Sequence, residues 1–173
     1  SYLNACGVVP LTPNTALLGH DGWGDARLGD YWHSPIRLND DRCIHDLVGL
    51  DAHARLATLH RLGEEAAQHL DRVLREAVAH FPHILLVTHV PPFHEACWYQ
   101  GQMSDKHWLP FFCCGAVGAV LRDVMQAHPQ IQLTVLCGHT HNAGTARILP
   151  NLVVHTGAAE YGHPSICEIL PIR

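Results

Sequence analysis

Two apolar runs that each end in histidine constrain this chain more than anything else in it. Ile84-Leu85-Leu86-Val87 leads into Thr88-His89-Val90-Pro91-Pro92, and the run from Gln132 to Leu136 leads into Cys137-Gly138-His139-Thr140-His141-Asn142. An uninterrupted apolar stretch such as Ile84 to Val87 predicts a strand buried on both faces. Pro91-Pro92 ends it, because proline cannot donate to a central ladder. In open α/β sheets, ligands gather beyond the carboxyl ends of the central strands. Both histidine groups fall at such ends.

The rest of the chain supplies helices to cover such strands. Leu56, Leu59, Leu62, Ala66, Leu70, Val73, Leu74, Ala77 and Val78 recur at spacings of three and four. That periodicity predicts one face of a long helix, stopping near Pro82, with Glu64, Glu65, Arg72, Arg75 and Glu76 towards solvent. A second helix is predicted from about Val117 to Ala127, ending before Pro129. Further strands are predicted at Thr15 to Leu18, Ala146 to Leu149, Leu152 to His155 and Ile166 to Leu170. Residues 26–50 read as irregular surface loop, and residues 93–113 as a long aromatic-rich excursion suited to a lid or binding loop. Strand, helix, strand and then short strands predict an α/β layered fold, and no linker divides residues 1–173 into two domains.

Composition narrows the partners. With 173 residues, 47% of them hydrophobic, the chain has enough apolar surface for one core. A formal charge of -5 with only 16% charged residues argues against nucleic acid as a partner. No stretch reaches the length of a membrane span and no leader pattern opens the chain, so the expectation is a soluble protein without a membrane partner. The seven cysteines form no C-x-x-C pair and read as small buried hydrophobes in a reducing, cytoplasmic setting. Most of the 16 histidines, among them His53, His60, His69 and His80, read as surface residues.

His89, His139 and His141 stand apart from these. Neutral imidazole is the commonest nitrogen ligand for zinc, iron, manganese and nickel-type ions. Gly138 would let the backbone turn and present both following rings. The plainer readings are a polar turn for His139-Thr140-His141 and a strand-end histidine satisfied by a carbonyl for His89. Their shared position at strand ends favours ligation.

Thr88-His89-Val90-Pro91-Pro92 and Gly138-His139-Thr140-His141 resemble the last two signature blocks of calcineurin-like metallophosphoesterases, and Thr156-Gly157-Ala158-Ala159-Glu160-Tyr161-Gly162 follows in keeping. The resemblance spans residue 14 onward. It implies a layered β-sandwich flanked by helices around a dinuclear centre, with His89 and His139 on one ion and His141 on the other. Two divalent ions (Mn, Fe, Zn or Ni) and a bridging hydroxide would hydrolyse a small phosphoester substrate.

The chain departs from that pattern before His89. The family's D-x-H, G-D-x-x-D and G-N-H-D/E blocks have no counterpart in order. Asp51-Ala52-His53 opens the long helix, Gly29-Asp30-Tyr31-Trp32 lacks the second aspartate, and Gly19-His20-Asp21 lacks the asparagine. The chain therefore reads as the C-terminal part of such a domain, with no catalytic acid to name and weak or partial metal binding. Repulsion between two close cations needs the absent carboxylates to offset it. Asp21, Arg27, His94, Trp98 and Tyr99 are candidates for the substrate mouth. For Arg27 the alternative is a surface ion pair, and for Trp98 and Tyr99 a cover over the core. The rival function is an inert half-domain that acts through self-association or an N-terminal partner chain, driven by open strand edges and apolar faces.

Overall fold

The computed structural model describes residues 2–172. In chain order its elements are β1 (Val9–Thr12), β2 (Thr15–His20), α1 (Asp40–Cys43), α2 (Ala52–Val78), β3 (His83–Thr88), β4 (Trp98–Tyr99), β5 (Gln102–Met103), α3 (Leu109–Phe112), α4 (Gly115–Ala127), β6 (Gln132–Cys137), β7 (Gly144–Leu149) and β8 (Leu152–Thr156). Six strands form one sheet in the order β1-β2-β3-β6-β8-β7. Its four inner strands are parallel, and β1 and β7 close the edges antiparallel. β1 carries Pro10, which an edge strand tolerates. This is the α/β layered class that the alternation of elements predicted.

The crossovers decide which face is covered. The chain steps from β2 to β3 to β6 in one direction across the sheet, with α2 and α4 in the two connections. Crossovers of one hand running in one direction place their helices on one face. Accordingly Leu18, Ile84, Leu86, Leu133, Val135, Leu152 and Val154 share one buried cluster with Leu70, Val73, Leu74, Leu121 and Met125. The helix α2 starts where Asp51 accepts a hydrogen bond from the Ala54 amide at 2.9 Å, so the D-x-H letters there are a helix N-cap.

The expectation that Ile84 to Val87 is buried on both faces is corrected. Ile84, Leu86 and Thr88 are buried, Leu85 is half-buried, and Val87 is 38% exposed. The reason is that both helices lie on the other side. Val87's face is covered only in part, by a turn at Leu3–Ala5 whose Leu3 Cδ1 would lie 2.5 Å from a Cβ at Gly19, and by the C-terminal tail. There His155 Nδ1 lies 3.3 Å from Glu168, and a hollow of about 310 Å³ remains between Thr15, Leu85, Thr134 and Ile172.

The strand predicted at Ile166 to Leu170 does not form. That segment has no ladder partner, and Ile166 and Ile169 are 81% and 83% exposed. The excursion at 93–113 is not structureless either. It holds the β4–β5 hairpin, α3, and a second small core of Cys97, Leu109, Phe111, Phe112 and Cys113. Residues 26–50 are mostly irregular, as expected, but bury Leu47 at 1% exposure and contain α1. Among the described residues, no helix is long and apolar enough to cross a membrane.

Close approach at Gly118 joins α4 to the loop after β3. A Cβ there would collide with the Pro92 carbonyl and press on Phe93. Gly118→Ala is therefore expected to lower the unfolding free energy by about 1–3 kcal/mol through overpacking, despite its better helix propensity. Urea unfolding of the variant against the parent checks the sign, which would reverse if the loop yielded freely.

Candidate functional site

The two histidine groups meet because β3 and β6 are neighbours in register. The His89 amide donates to the Asp21 carbonyl at 2.7 Å, and the Gly138 amide donates to the His89 carbonyl at 3.0 Å. These bonds lock the ends of β2, β3 and β6 together. Gly138 has no positive φ. His139 (φ 66°) and His141 (φ 59°) themselves take the left-handed backbone. The Thr140 amide closes onto the Gly138 carbonyl at 2.7 Å, a tight three-residue turn centred on His139. Non-glycine residues in this region cost on the order of 1–3 kcal/mol and cluster at functional sites. The strain thus sits on the ring-bearing residues rather than on the glycine.

The rings are held in a defined arrangement. His139 Nε2 lies 3.2 Å from the Phe111 carbonyl, and His139 Nδ1 lies 3.0 Å from His89 Nε2. A carbonyl only accepts, so Nε2 of His139 carries the proton and its Nδ1 takes the hydrogen bond from His89. Trp23 stacks on His89 with ring centroids 5.8 Å apart, and its ring lies 5.6 Å from that of His139. Phe112 lies 5.2 Å from His139 on another side. Desolvation by these walls pushes His139 down to about 4, with the neighbouring His89 adding to the effect. Desolvation also lowers His89, against the opposing pull of Asp21 and Asp40. Both rings are neutral at pH 7, the form that binds metals.

His89, His139 and His141 line one cleft of about 490 Å³, together with Asp40, Asn142, Tyr99, Trp108 and Tyr161. His141 packs edge-on to Tyr161, with centroids 4.8 Å apart. Thr140, between the two left-handed histidines, is 1% exposed, and its hydroxyl has no hydrogen-bond partner among the described residues.

Of the residues expected at the substrate mouth, only Tyr99 lines this cleft. Asp21 faces an adjoining hollow, where its carboxylate accepts from the Tyr2 hydroxyl at 2.5 Å and from Asn4 at 3.2 Å. Arg27 is drawn into ion pairs with Glu64 and with Asp25. His94 bonds the Ser104 carbonyl at 3.1 Å and opens onto a different hollow beside Arg122. Trp98 packs against Gly144 of β7, where a side chain would collide with its ring. Local partners hold Arg27, His94 and Trp98 away from the histidines, whereas Asp21 shares its hollow with His89.

Asp25 is the site-supporting residue that sequence reasoning did not single out. It is fully buried, and its carboxylate accepts from the Gly115 amide at 3.0 Å and the Ala116 amide at 2.8 Å. These are orphan donors at the start of α4, and a carboxylate there also meets the positive end of the helix dipole. The Asp25 amide donates to Cys113 and the Ala26 amide to Pro110, which ties the Gly-rich turn carrying Trp23 to α3 and its Phe111 carbonyl. Only the Gly-rich turn around it was legible, since its partners lie some 90 residues away.

The donor set does not suit two ions. Among the described residues, no group of three or more His, Cys, Asp or Glu side chains is placed to hold a metal ion. The two imidazoles that converge at 3.0 Å offer half of a donor set, and the carboxylate lining the same cleft is that of Asp40.

No protein-family model and no curated protein matches the chain. Among solved structures it is similar to a dimetal phosphatase from Danio rerio, at 17% identity and a TM-score of 0.48, over 87% of this chain and 48% of that one. The chain thus spans about half the length of the structure it matches.

Proposed function

We propose that this chain carries the histidine side of a metal-dependent phosphoester hydrolase of the calcineurin-like kind. One observation carries the reading. His89 Nε2 and His139 Nδ1 converge at 3.0 Å at the ends of adjacent parallel strands, with the far nitrogen of His139 tied to a carbonyl. That last bond fixes the tautomer and leaves Nδ1 of His139 unprotonated, so a metal ion would replace the proton it now shares with His89, as outer-shell partners allow for metal-bound imidazoles. A dinuclear centre with a bridging hydroxide needs carboxylates that the cleft of this chain does not bring together, so no hydrolytic step is assigned to its residues. His89 and His139 would share one ion, and His141, on the same cleft, would face the second.

The test is metal content by elemental analysis after dialysis against Mn, Fe, Zn or Ni, with phosphate release from phenyl phosphate measured alongside. The expected result is at most one equivalent of metal, lost in His139→Ala, with little turnover by the chain alone. Metal content unchanged by His89→Ala and His139→Ala would sink the ligand assignment.

The half-covered sheet face favours a second reading, in which the chain works by association. Val87 is 38% exposed there and Ile172 44%. Elution as a dimer or larger species, shifted to monomer by Val87→Lys, would favour it, while a monomeric parent chain would count against it.

A further inference from the structure

We propose that the histidine cleft selects phosphoesters whose alcohol portion carries a flat aromatic ring, a choice that rests on the phosphoesterase reading and extends it to the substrate. The cleft has two kinds of lining. His89, His139 and His141 gather beside the Thr140 hydroxyl. Tyr99 and Trp108 present half-buried rings with centroids 4.7 Å apart, and Trp108 is backed by Phe112 at 4.8 Å in a stacked pair, with Phe112 also meeting His139. Rings braced from behind lose little freedom when a ligand ring covers their open side.

Tyr161 completes this arrangement from the C-terminal tail. Its ring touches His141 only by an edge contact and is 86% exposed, so most of its face is open to a ligand. A ligand ring would cover that surface, and π-faces stack without regard to the identity of the base. A volume of about 490 Å³ lies within the range of small-ligand clefts.

Calorimetric titration of the whole chain with adenosine 5′-monophosphate, ribose 5-phosphate, phenyl phosphate and ethyl phosphate tests this. Each ring-bearing ester is expected to bind roughly ten-fold or more tightly than its ring-free counterpart, the scale of one base–aromatic stack. Tyr99→Leu and Tyr161→Leu should each erode that advantage and leave ribose 5-phosphate unchanged. If loss of the Tyr99 ring disturbs the fold, the exposed Tyr161 still decides the matter. Tighter adenosine 5′-monophosphate than phenyl phosphate would identify the ring as a nucleobase, and equal binding would identify a simple aryl group. Equal affinity for ring-bearing and ring-free esters overturns the proposal. Hydrolysis of all four esters without ring preference would defeat the ring site and keep the phosphoesterase. Ring-dependent binding with no hydrolysis under any metal, even with a carboxylate-bearing partner chain added, would do the reverse.

Discussion

Replacing Asp25 by alanine is expected to lower the unfolding free energy by about 3 kcal/mol, because it strips the acceptor from two amides at the start of α4 in a fully buried position. For a domain of this size that corresponds to a fall of roughly 6–12 °C in melting temperature. The loss does not come chiefly from the ion pair. Arg27 is 37% exposed and also meets Glu64, so its charge can be resolvated, and Arg27→Met should cost under about 1 kcal/mol. Asp25→Asn keeps an acceptor and should fall between the two. Urea unfolding of the three variants orders them. An Asp25→Ala value within 0.5 kcal/mol or so of the parent would show that α4 does not depend on this carboxylate. The same variant should loosen Trp23 and Phe111 around the histidines, visible as a change in the near-ultraviolet circular dichroism.

Acidification should destabilise the protein through His139. Its ordinary value of 6.5 is lowered to about 4 by desolvation in the folded state. Between these values the unfolded chain binds a proton that the folded chain does not, so stability is complete above about pH 6.5 and is lost as pH falls towards 4. The full shift would be worth roughly 3 kcal/mol, and partial solvent access reduces this to about 2 kcal/mol. His20, His69 and His89 are shifted in the same direction by desolvation and add to the slope. Chemical unfolding in chelator at pH 7.5, 6, 5 and 4.5 reads the dependence. His139→Asn should flatten the curve, and an identical slope in that variant would mean the buried ring is not its source.

Much of the architecture was written in local patterns. The three-and-four spacing from Leu56 to Val78 marked α2, and the observed helix runs from Ala52 to Val78. The apolar runs before His89 and Gly138 marked β3 and β6, and their pairing in parallel follows from the helix between them. What misled was the inference from an apolar run to burial on both sides. Val87 is as apolar as Leu86, and only the direction of the crossovers leaves it on the open face. The exposed Ile166 and Ile169 misled in the same way, since β-branched residues signal a strand only where a neighbouring strand exists to pair with.

At the cleft, residue types and strand ends announced His89, His139 and His141, because a histidine after a strand is visible in one dimension. Their bonding was not. The tautomer of His139 depends on Phe111, 28 positions earlier, and the support of α3 and α4 depends on Asp25, some 90 positions before α4. Asp21, Arg27, His94 and Trp98 are all candidates for a substrate mouth by residue type, yet Arg27, His94 and Trp98 are held elsewhere and Asp21 faces the hollow beside His89, through partners that their neighbours in sequence do not reveal. Periodicity and turn chemistry act over a few residues and can be read along the chain. Burial, tautomer and cleft membership arise from groups brought together across tens of residues, and they exist only once the sheet has closed and water has left.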